Sequence, residues 1–358
     1  MKPQFRYGGG QPARVSLSWR VLLHMASGHL ERKSMIRRLL LIPFIGLALT
    51  VPAAAQAQAY PAKPVRIVTE FIAGAGGDIS MRLIAGPMSA AMGQPIIIEN
   101  SAGAGGIVAT QQVARAAADG YTLLAITPTV PVVRVHLAKD NSFDALKELT
   151  PISTMIEPSI VLVANASLGI SNLQELIDLA KKSPGKLSYG TNGVGSGPHL
   201  GTERIQMLAG ISMLHVPYKA MQQAMIDAAT GQIPMSWALA GPIAAQVKAA
   251  KVKVITLLNE KRYPVWPEVA TIRETLPGYG AVPMWTGLFG PAGLPQPVVR
   301  RLSSELQKSL QDAEVRAKLA SGGTQATGNT PEEFTAMIRA QIDLVGRIVK
   351  SAGIQPSD

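Results

Sequence analysis

The sequence predicts an α/β fold of two lobes, in which each lobe is a mostly parallel sheet flanked by helices. Strand-like and helix-like segments alternate from Val65 onward, and strands separated by helices favour a parallel sheet covered on both faces. These strands are too numerous for one small sheet, and a chain of 358 residues is long enough for two or three domains. Hydrophobic residues make up 47% of the chain and charged residues 16%, a composition that allows a large buried core.

The first half of the chain shows the clearest alternation. The segment VRIVTEF is β-branched and apolar, which is typical of a strand. A helical pattern follows it, and Gly93 can end that helix. The predicted strands here are 65–71, 95–100 and 121–127, and the predicted helices are 79–92 and 107–117.

A second set of elements begins after Pro158. Ser171 and Gln174 form a capping-box signature for its first helix. Near the C-terminus, Thr330-Pro331 and Glu333 predict the start of another capped helix with an apolar stripe. The predicted strands are 160–167, 186–191, 212–218, 233–239 and 252–258, and the predicted helices are 172–182, 199–209, 221–230 and 243–249.

Two extended segments, near 158–164 and 282–291, give the predicted lobe boundaries. We expect residues 60–160 to form the first part of lobe 1 and residues 161–282 to form lobe 2. Residues 283–358 should then return to lobe 1.

The N-terminal region predicts a secretory signal peptide over 35–59. Met35-Ile36-Arg37-Arg38 is followed by an apolar run of about a dozen residues and an Ala-x-Ala end. The apolar run is too short to span a bilayer comfortably. The mature chain should therefore begin near Tyr60, and residues 1–34 indicate a misassigned translation start or an atypical leader.

Composition removes several classes of protein. The chain has no cysteine, which excludes disulfides, thiolate metal sites, a Cys nucleophile and a lipid-modified cysteine. The formal charge of +11 is concentrated at the N-terminus, because residues 1–59 carry eight basic residues and one acid. The remainder has 26 basic and 22 acidic residues, a net charge of +4, and shows no basic stripe with interleaved aromatics, so we do not expect nucleic-acid binding.

A glycine-rich loop between the first strand and helix is the first candidate binding segment. In FIAGAGGD, over 71–78, Gly76 and Gly77 let backbone amides turn toward a ligand, and the following helix N-terminus attracts an anion. Asp78 is placed to cap that helix, which we favour over direct ligand contact. The spacing is not GxGxxG, so a dinucleotide site is not indicated.

TNGVGSGPHL, over 191–200, is the second candidate loop. Thr191, Asn192 and Ser196 offer short donors beside exposed amides, which suits a carboxylate. The loop lacks the Lys-Ser/Thr ending of a P-loop, and His199 fits an oriented helix-start residue better than a catalytic base. Tyr218, at the end of a later strand, could reach a cleft. We find no nucleophile-elbow or metal-ligand spacing, so we predict no catalytic residues, metal or cofactor.

These segments resemble, in order, a known family: the Bug-type substrate-binding proteins of tripartite tricarboxylate transporters. The resemblance runs from about Tyr60 to the C-terminus, and the specificity comes from the number of motifs in the same order. The matching segments are YPAKPVR (60–66), ENSAGAGG (99–106), ADGYTLL (118–124), PGKLSY (184–189), GVGS (193–196), HVPYK (215–219), GPAGLP (290–295), EVRAKL (314–319) and TPEEF (330–334).

The resemblance implies a periplasmic-binding-protein fold that closes on a carboxylate by a hinge between lobes. It also implies a periplasmic monomer, which delivers its ligand to transporter subunits in the membrane. The ligand-binding residues carried over are Ile72, Ala73, Gly76, Gly77 and Asp78 of the first loop, Thr127 and Thr129 after the third strand, Thr191, Asn192, Gly193, Gly195, Ser196 and His199 of the second loop, and Tyr218 and Ala238.

Some positions depart from the family pattern. The first loop reads Ile72-Ala73-Gly74-Ala75 where the family usually has Pro-Pro-Gly-Gly, and Ala220 replaces the usual Gly after Lys219. The family commonly has acids near positions 234 and 238, which here are Pro234 and Ala238. Since such an acid would suit a ligand amino group, its absence favours a plain or aromatic carboxylate over an amino acid. A periplasmic sensor subunit and a secreted enzyme stay open as alternatives.

Overall fold

The computed structural model describes residues 60–139 and 143–356; the predicted leader, 1–34, and signal peptide, 35–59, lie outside this part of the chain. The strands are β1 (Val65–Thr69), β2 (Ile96–Asn100), β3 (Thr122–Ile126), β4 (Leu149–Pro158), β5 (Ile160–Asn165), β6 (Ser188–Thr191), β7 (Leu214–Pro217), β8 (Met235–Leu239), β9 (Val252–Leu257), β10 (Thr286–Pro291) and β11 (Thr324–Ala326). The helices are α1 (Gly76–Met92), α2 (Ile107–Ala114), α3 (Arg134–Leu137), α4 (Ala145–Glu148), α5 (Leu173–Lys182), α6 (Gly197–Ala209), α7 (Met221–Thr230), α8 (Ala240–Lys248), α9 (Ile272–Thr275), α10 (Gln296–Gln311), α11 (Ala313–Ser321) and α12 (Pro331–Ala352).

The first sheet has six strands in the order β11-β4-β10-β3-β1-β2. Strand β1 is parallel to β2 and β3, whereas β10 is antiparallel to β3 and β4 and β11 is antiparallel to β4. Strands β1, β3, β4 and β10 are largely apolar and buried, because helices such as α1 and α10 cover the sheet.

The second sheet has five strands in the order β7-β6-β8-β5-β9. Strand β6 is parallel to β7 and β8, and β5 is antiparallel to β8 and β9. The predicted two-lobed α/β fold is thus confirmed, but both sheets are mixed rather than mostly parallel. The antiparallel pairs arise where the chain enters the second sheet at β5 and returns to the first at β10.

Several predicted element ends need correction. Helix α1 begins at Gly76 rather than at residue 79, because the glycines of the loop already have helical geometry. Helix α5 is capped by Asn172, whose side chain accepts from the backbone N–H of Glu175, so the predicted Ser171 and Gln174 box is wrong. The capping box of α12 at Thr330 and Glu333 is confirmed.

The chain crosses between the two sheets at Pro158–Ile160, which we call the crossover segment. The backbone N–H of Ser159 donates to the carbonyl of Gly323 at 2.7 Å, and the N–H of Ala240 donates to the carbonyl of Ser159 at 2.9 Å. Sheet membership therefore changes close to the predicted boundary at residue 160 and returns at Thr286. The lobe boundaries themselves stay a prediction.

A partly buried carboxyl, that of Glu157, lies beside the crossover segment. Glu157 accepts a hydrogen bond from Asn259 Nδ2 at 2.7 Å, and the same amide group contacts both Pro158 and Ile160. Burial is the main cause that raises the pKa of Glu157 to about 7, with the nearby Glu260 adding to it. The crossover segment thus rests on a group that titrates near neutral pH.

We expect Glu157→Gln to make the protein more stable than the wild type at pH 8, by about 1–3 kcal/mol. The folded-state pKa is raised, so the protonated carboxyl contributes stability that is complete below about pH 4.5 and lost as pH rises through about 7. Gln keeps the oxygen acceptor without the charge. Urea unfolding at pH 4.5 and pH 8 measures this difference, which should shrink toward zero at the lower pH.

The exposed Glu314→Gln is the control, and it should show no comparable gain at pH 8. Equal stability of Glu157→Gln and wild type at both pH values would contradict the assigned burial of this carboxyl.

Candidate functional site

A cleft of about 940 Å³ lies between the two sheets. Its walls come from loops that follow strands of both sheets and from the chain segments that connect the sheets. The lining residues are Phe71, Gly76, Gly77, Ile79, Ser80, Leu83, Ala104, Gly105, Ile107, Thr127, Pro128, Thr129, Val133, Arg134, Leu137, Ala138, Ile156, Pro158, Ile160, Asn192, Val194, Gly195, Ser196, Gly197, Pro198, Met221, Leu239, Pro283, Met284, Trp285, Thr286, Lys318, Leu319, Gly322 and Thr324. Such placement at strand ends is the usual position of a ligand site in an α/β protein.

Helix α1 brings its N-terminal turn to the cleft. Gly76 and Gly77 line the wall. The N-cap position is Ala75, and no side chain there accepts a hydrogen bond from the first-turn amides. The first-turn amides and the positive end of the helix dipole therefore face the cleft, an arrangement that attracts anions. Gly77 also has no room for a side chain, because a Cβ there would lie 2.5 Å from the ring of Phe71.

Asp78 holds the first loop from inside. Its carboxylate accepts from the N–H of Gly74 at 2.9 Å, from Asn100 Nδ2 at 2.8 Å and from Arg82 Nε at 3.0 Å. The Arg82 side chain is the main cause that lowers the pKa of Asp78 to about 2, and Asn100 and Gly74 lower it further. Asp78 is the third residue of α1 and not its N-cap, and its side chain is buried and absent from the cleft wall.

The second loop leads into α6, which Ser196 caps. Ser196 Oγ accepts from the N–H of His199 at 3.3 Å and donates to the carbonyl of Gly193 at 2.7 Å. Asn192, Gly195 and Ser196 line the cleft, and Asn192 is exposed there. The N-termini of α1 and α6 thus border one cavity from different sheets.

Eight predicted site residues are absent from the cleft wall: Ile72, Ala73, Asp78, Thr191, Gly193, His199, Tyr218 and Ala238. Thr191 is fully buried, and its hydroxyl contacts Gly193 and His215. The Tyr218 hydroxyl donates to Asp227 at 2.9 Å, and Ala238 is buried in β8. Internal hydrogen bonds hold the hydroxyls of Thr191 and Tyr218, and Ala238 packs within the sheet, so none of the three faces the cleft.

The two predicted threonines after β3 do reach the cleft. Thr127 and Thr129 line its wall, and their hydroxyls are 3.1 Å apart. The N–H of Thr127 donates to Glu70 Oε1 at 2.7 Å. Burial raises the pKa of Glu70 above its usual range, against the opposing effect of that hydrogen bond.

Arg134 was not predicted from the sequence. It is half-buried at the cleft wall at the start of α3, and within residues 60–139 and 143–356 it has no acidic partner. Lys318 is the other lining cation, but it is exposed and lies 2.6 Å from Glu314. Nothing in the local pattern of VPVVRVHL separates Arg134 from a solvated arginine.

Apolar side chains complete the cleft. Met221, Met284 and Trp285 line its wall. At the mouth, Ile79 is 52% exposed and Val194 is 52% exposed. A ligand of this cleft would therefore meet apolar surface beside the amides and the arginine.

Two further observations concern metal ligands and membrane spans in the described part of the chain. Across residues 60–139 and 143–356, no group of three or more histidine or acidic side chains is arranged to hold a metal ion. Within the same ranges, no helix has the length and apolar character needed to cross a membrane.

Two mixed sheets that enclose a cleft, with helix N-termini from both directed at it, define a solute-binding protein of the two-lobed type. The chain belongs to the family of tripartite tricarboxylate transporter receptors, because the family model, TctC, matches residues 80–354. The resemblance to the Bug-type proteins is thereby confirmed.

Relatives and solved structures agree with this assignment. A protein of the UPF0065 group from Bordetella pertussis is 31% identical over 325 residues, 90% of this chain and 98% of the relative. BugT from the same organism is 28% identical over 89% of this chain and 98% of its own length. The structure of Rpa4515 from R. palustris with adipate has a TM-score of 0.69 and 28% identity, covering 83% of this chain and all of that one. MatC from Rhodopseudomonas palustris with bound malate has a TM-score of 0.64 and 28% identity, covering 81% of this chain and all of that one.

Proposed function

We propose that this protein is a periplasmic solute-binding receptor that captures a small carboxylate in the cleft and delivers it to a tripartite tricarboxylate-type membrane transporter. The observation that carries the proposal is the uncapped N-terminal turn of α1, with Gly76 and Gly77 at the cleft wall. Backbone amides at a helix N-terminus can bind an anion even where no positively charged side chain is present. The protein binds its ligand and releases it unchanged.

The electrostatics of the cleft support an anionic ligand. Arg134 supplies a positive charge that no described acidic side chain neutralises, and a guanidinium matches the two oxygens of a carboxylate. The structures with adipate and malate belong to relatives of this chain. Apolar lining from Met221, Met284 and Trp285 suits a carbon skeleton without an amino group.

The division of donors between the sheets requires closure around the ligand. The α1 amides belong to the first sheet's side of the cleft, and Asn192 and the start of α6 belong to the second. Neither side alone can surround a carboxylate and exclude water, so closure by rotation about the connecting segments completes the site.

We expect the mature chain, expressed from Tyr60, to bind adipate or malate in calorimetric titration and to melt at a higher temperature in their presence. The neutral diamides of the same acids serve as controls and should not bind, because they carry no negative charge. Small-angle scattering at saturation should show a smaller radius of gyration. If a library of carboxylates produces neither heat nor a melting shift, the proposed function is wrong.

Delivery to a transporter is tested separately. The liganded protein should be retained by membranes that contain the cognate transporter and released when ligand is removed. Retention by a sensor kinase instead would make the protein a ligand-sensing subunit with the same binding site.

A further inference from the structure

Two stacked histidines lie beneath the second loop. The rings of His199 on α6 and His215 on β7 have centroids 4.0 Å apart with an interplanar angle of 19°. His199 is buried, with 4% of its surface exposed, and does not line the cleft. Solute binding as proposed above uses neither ring directly.

The nearest loop amide determines which nitrogen of His199 carries hydrogen. The N–H of Gly195, a cleft-wall residue, donates to His199 Nδ1 at 3.0 Å. Nδ1 must therefore be the bare nitrogen, so the neutral ring carries its hydrogen on Nε2. Nε2 points toward Glu203 Oε1, 3.8 Å away.

His215 fixes the preceding part of the same loop. Its Nε2 lies 2.7 Å from Thr191 Oγ1, and that hydroxyl also contacts both the N–H and the carbonyl of Gly193. Gly193 and Gly195 have φ values of +115° and +77°, which only glycine adopts without strain. The two imidazoles thus hold both left-handed glycines of the second loop.

The surroundings keep the pair neutral at pH 7. Burial, and for His199 also the second ring, lowers the pKa of each histidine to about 4. The titratable groups that face the pair are Glu203 on α6 and Tyr189 on β6, which stacks on His215 and donates to Glu203 at 2.9 Å. Tyr279 contacts α6 near Gly201. The charged residues along α12, which packs against α6, are exposed: Glu332, Glu333, Arg339, Asp343, Arg347 and Lys350.

We infer that His199 is a positioning residue for ligand capture: its bare Nδ1 holds the Gly195 amide and with it the ligand-binding shape of the second loop. The inference rests on the proposed function, and it adds a pH-sensitive element beneath the site. Protonation of Nδ1 places a donor opposite the Gly195 N–H, so the loop loses this anchor in acid.

An isosteric pair of variants tests the inference. Asn places its Oδ1 where His has Nδ1, so His199→Asn keeps a non-titrating acceptor, whereas His199→Leu has similar size and none. With adipate as probe, His199→Leu should bind about tenfold more weakly at pH 7.5, because the Gly195 N–H is left unpaired. His199→Asn should recover most of that loss. Equal affinities of the two variants, whether both weak or both like wild type, would overturn the inference.

The pH dependence of ligand affinity distinguishes this positioning role from a purely structural one, which would leave the pH dependence unchanged. The ratio of wild-type to His199→Asn dissociation constants should be constant above pH 6.5 and rise below about pH 5, since titration of the probe cancels in the ratio. A ratio that stays constant down to pH 4 counts against the inference.

A measurement on wild-type protein without ligand separates this inference from the proposed function. The ¹⁵N chemical shifts of the His199 ring should identify the neutral tautomer with hydrogen on Nε2 and bare Nδ1. Protonated Nδ1 at pH 7.5 would overturn the inference even if adipate binds. The expected tautomer with no carboxylate binding would instead refute the proposed function, and the same spectrum remains decisive if His199→Leu fails to fold.

Discussion

Replacing Arg134 by Gln is expected to lower carboxylate affinity by on the order of a hundredfold. The side chain is half-buried at the cleft wall and has no acidic partner among the described residues. Its hydrogen bonds to a bound carboxylate would be charge-assisted, and these are the stronger kind. Calorimetric titration of wild type and variant with the same acid measures the change.

Two matched variants separate charge from position. Arg134→Lys keeps the charge but loses the planar fork, so its affinity should fall between those of wild type and Arg134→Gln. Lys318→Gln removes a cleft-wall cation that is already paired with Glu314 and exposed, and its effect should be no more than a few-fold. If Lys318→Gln weakens binding as much as Arg134→Gln, a diffuse field rather than a specific contact attracts the ligand.

Replacing Phe334 by Ala should lower the free energy of unfolding by about 3–5 kcal/mol. This ring, on α12, is fully buried and contacts Trp285 edge-on with centroids 4.9 Å apart and Phe289 at 5.0 Å. It also covers Gly287, where an added Cβ would lie 2.3 Å from the ring. Its removal leaves a cavity over β10, at the centre of the first sheet. Urea unfolding at pH 7 measures the loss.

Leu214→Ala is the control for loss of an apolar side chain, because Leu214 is 61% exposed on edge strand β7. Its free energy of unfolding should change by less than about 0.5 kcal/mol. A Phe334→Ala variant as stable as Leu214→Ala would mean that α12 does not pack on the first sheet as described.

Local patterns in the sequence predicted most of the elements but not all of the pairing. The apolar run of β1 and the capping residues of α12 are signals contained in a few adjacent residues. The direction of β5 and β10 is not such a signal, because it depends on which distant strand lies beside each one. Strand β4 went unrecognised as well, since LTPISTMIEP contains two prolines, residues that are uncommon in strands.

For the candidate site, the sequence indicated which segments take part but not the direction of their side chains. Both glycine-rich loops that the sequence offers as candidates, 71–78 and 191–200, contribute residues to the cleft wall. The direction of each polar group within them depends on contacts that are remote in sequence, such as His215 with Thr191. Arg134 was missed for the same reason: only the folded chain shows that it faces a cavity and has no acidic partner among the described residues.

The position of β10 affects the order in which the chain can assemble as it is synthesised from the N-terminus. Among the described residues, strand β4 pairs with β10 and β11 alone, and both come later in the chain than the whole second sheet. Until Thr286–Pro291 has emerged, β4 has no partner, and β3 keeps an open hydrogen-bonding edge. Such edges favour association with other chains. The sheet that contains β1 is therefore the last to be completed, and the growing chain needs protection from self-association until the segment from Thr286 onward is available.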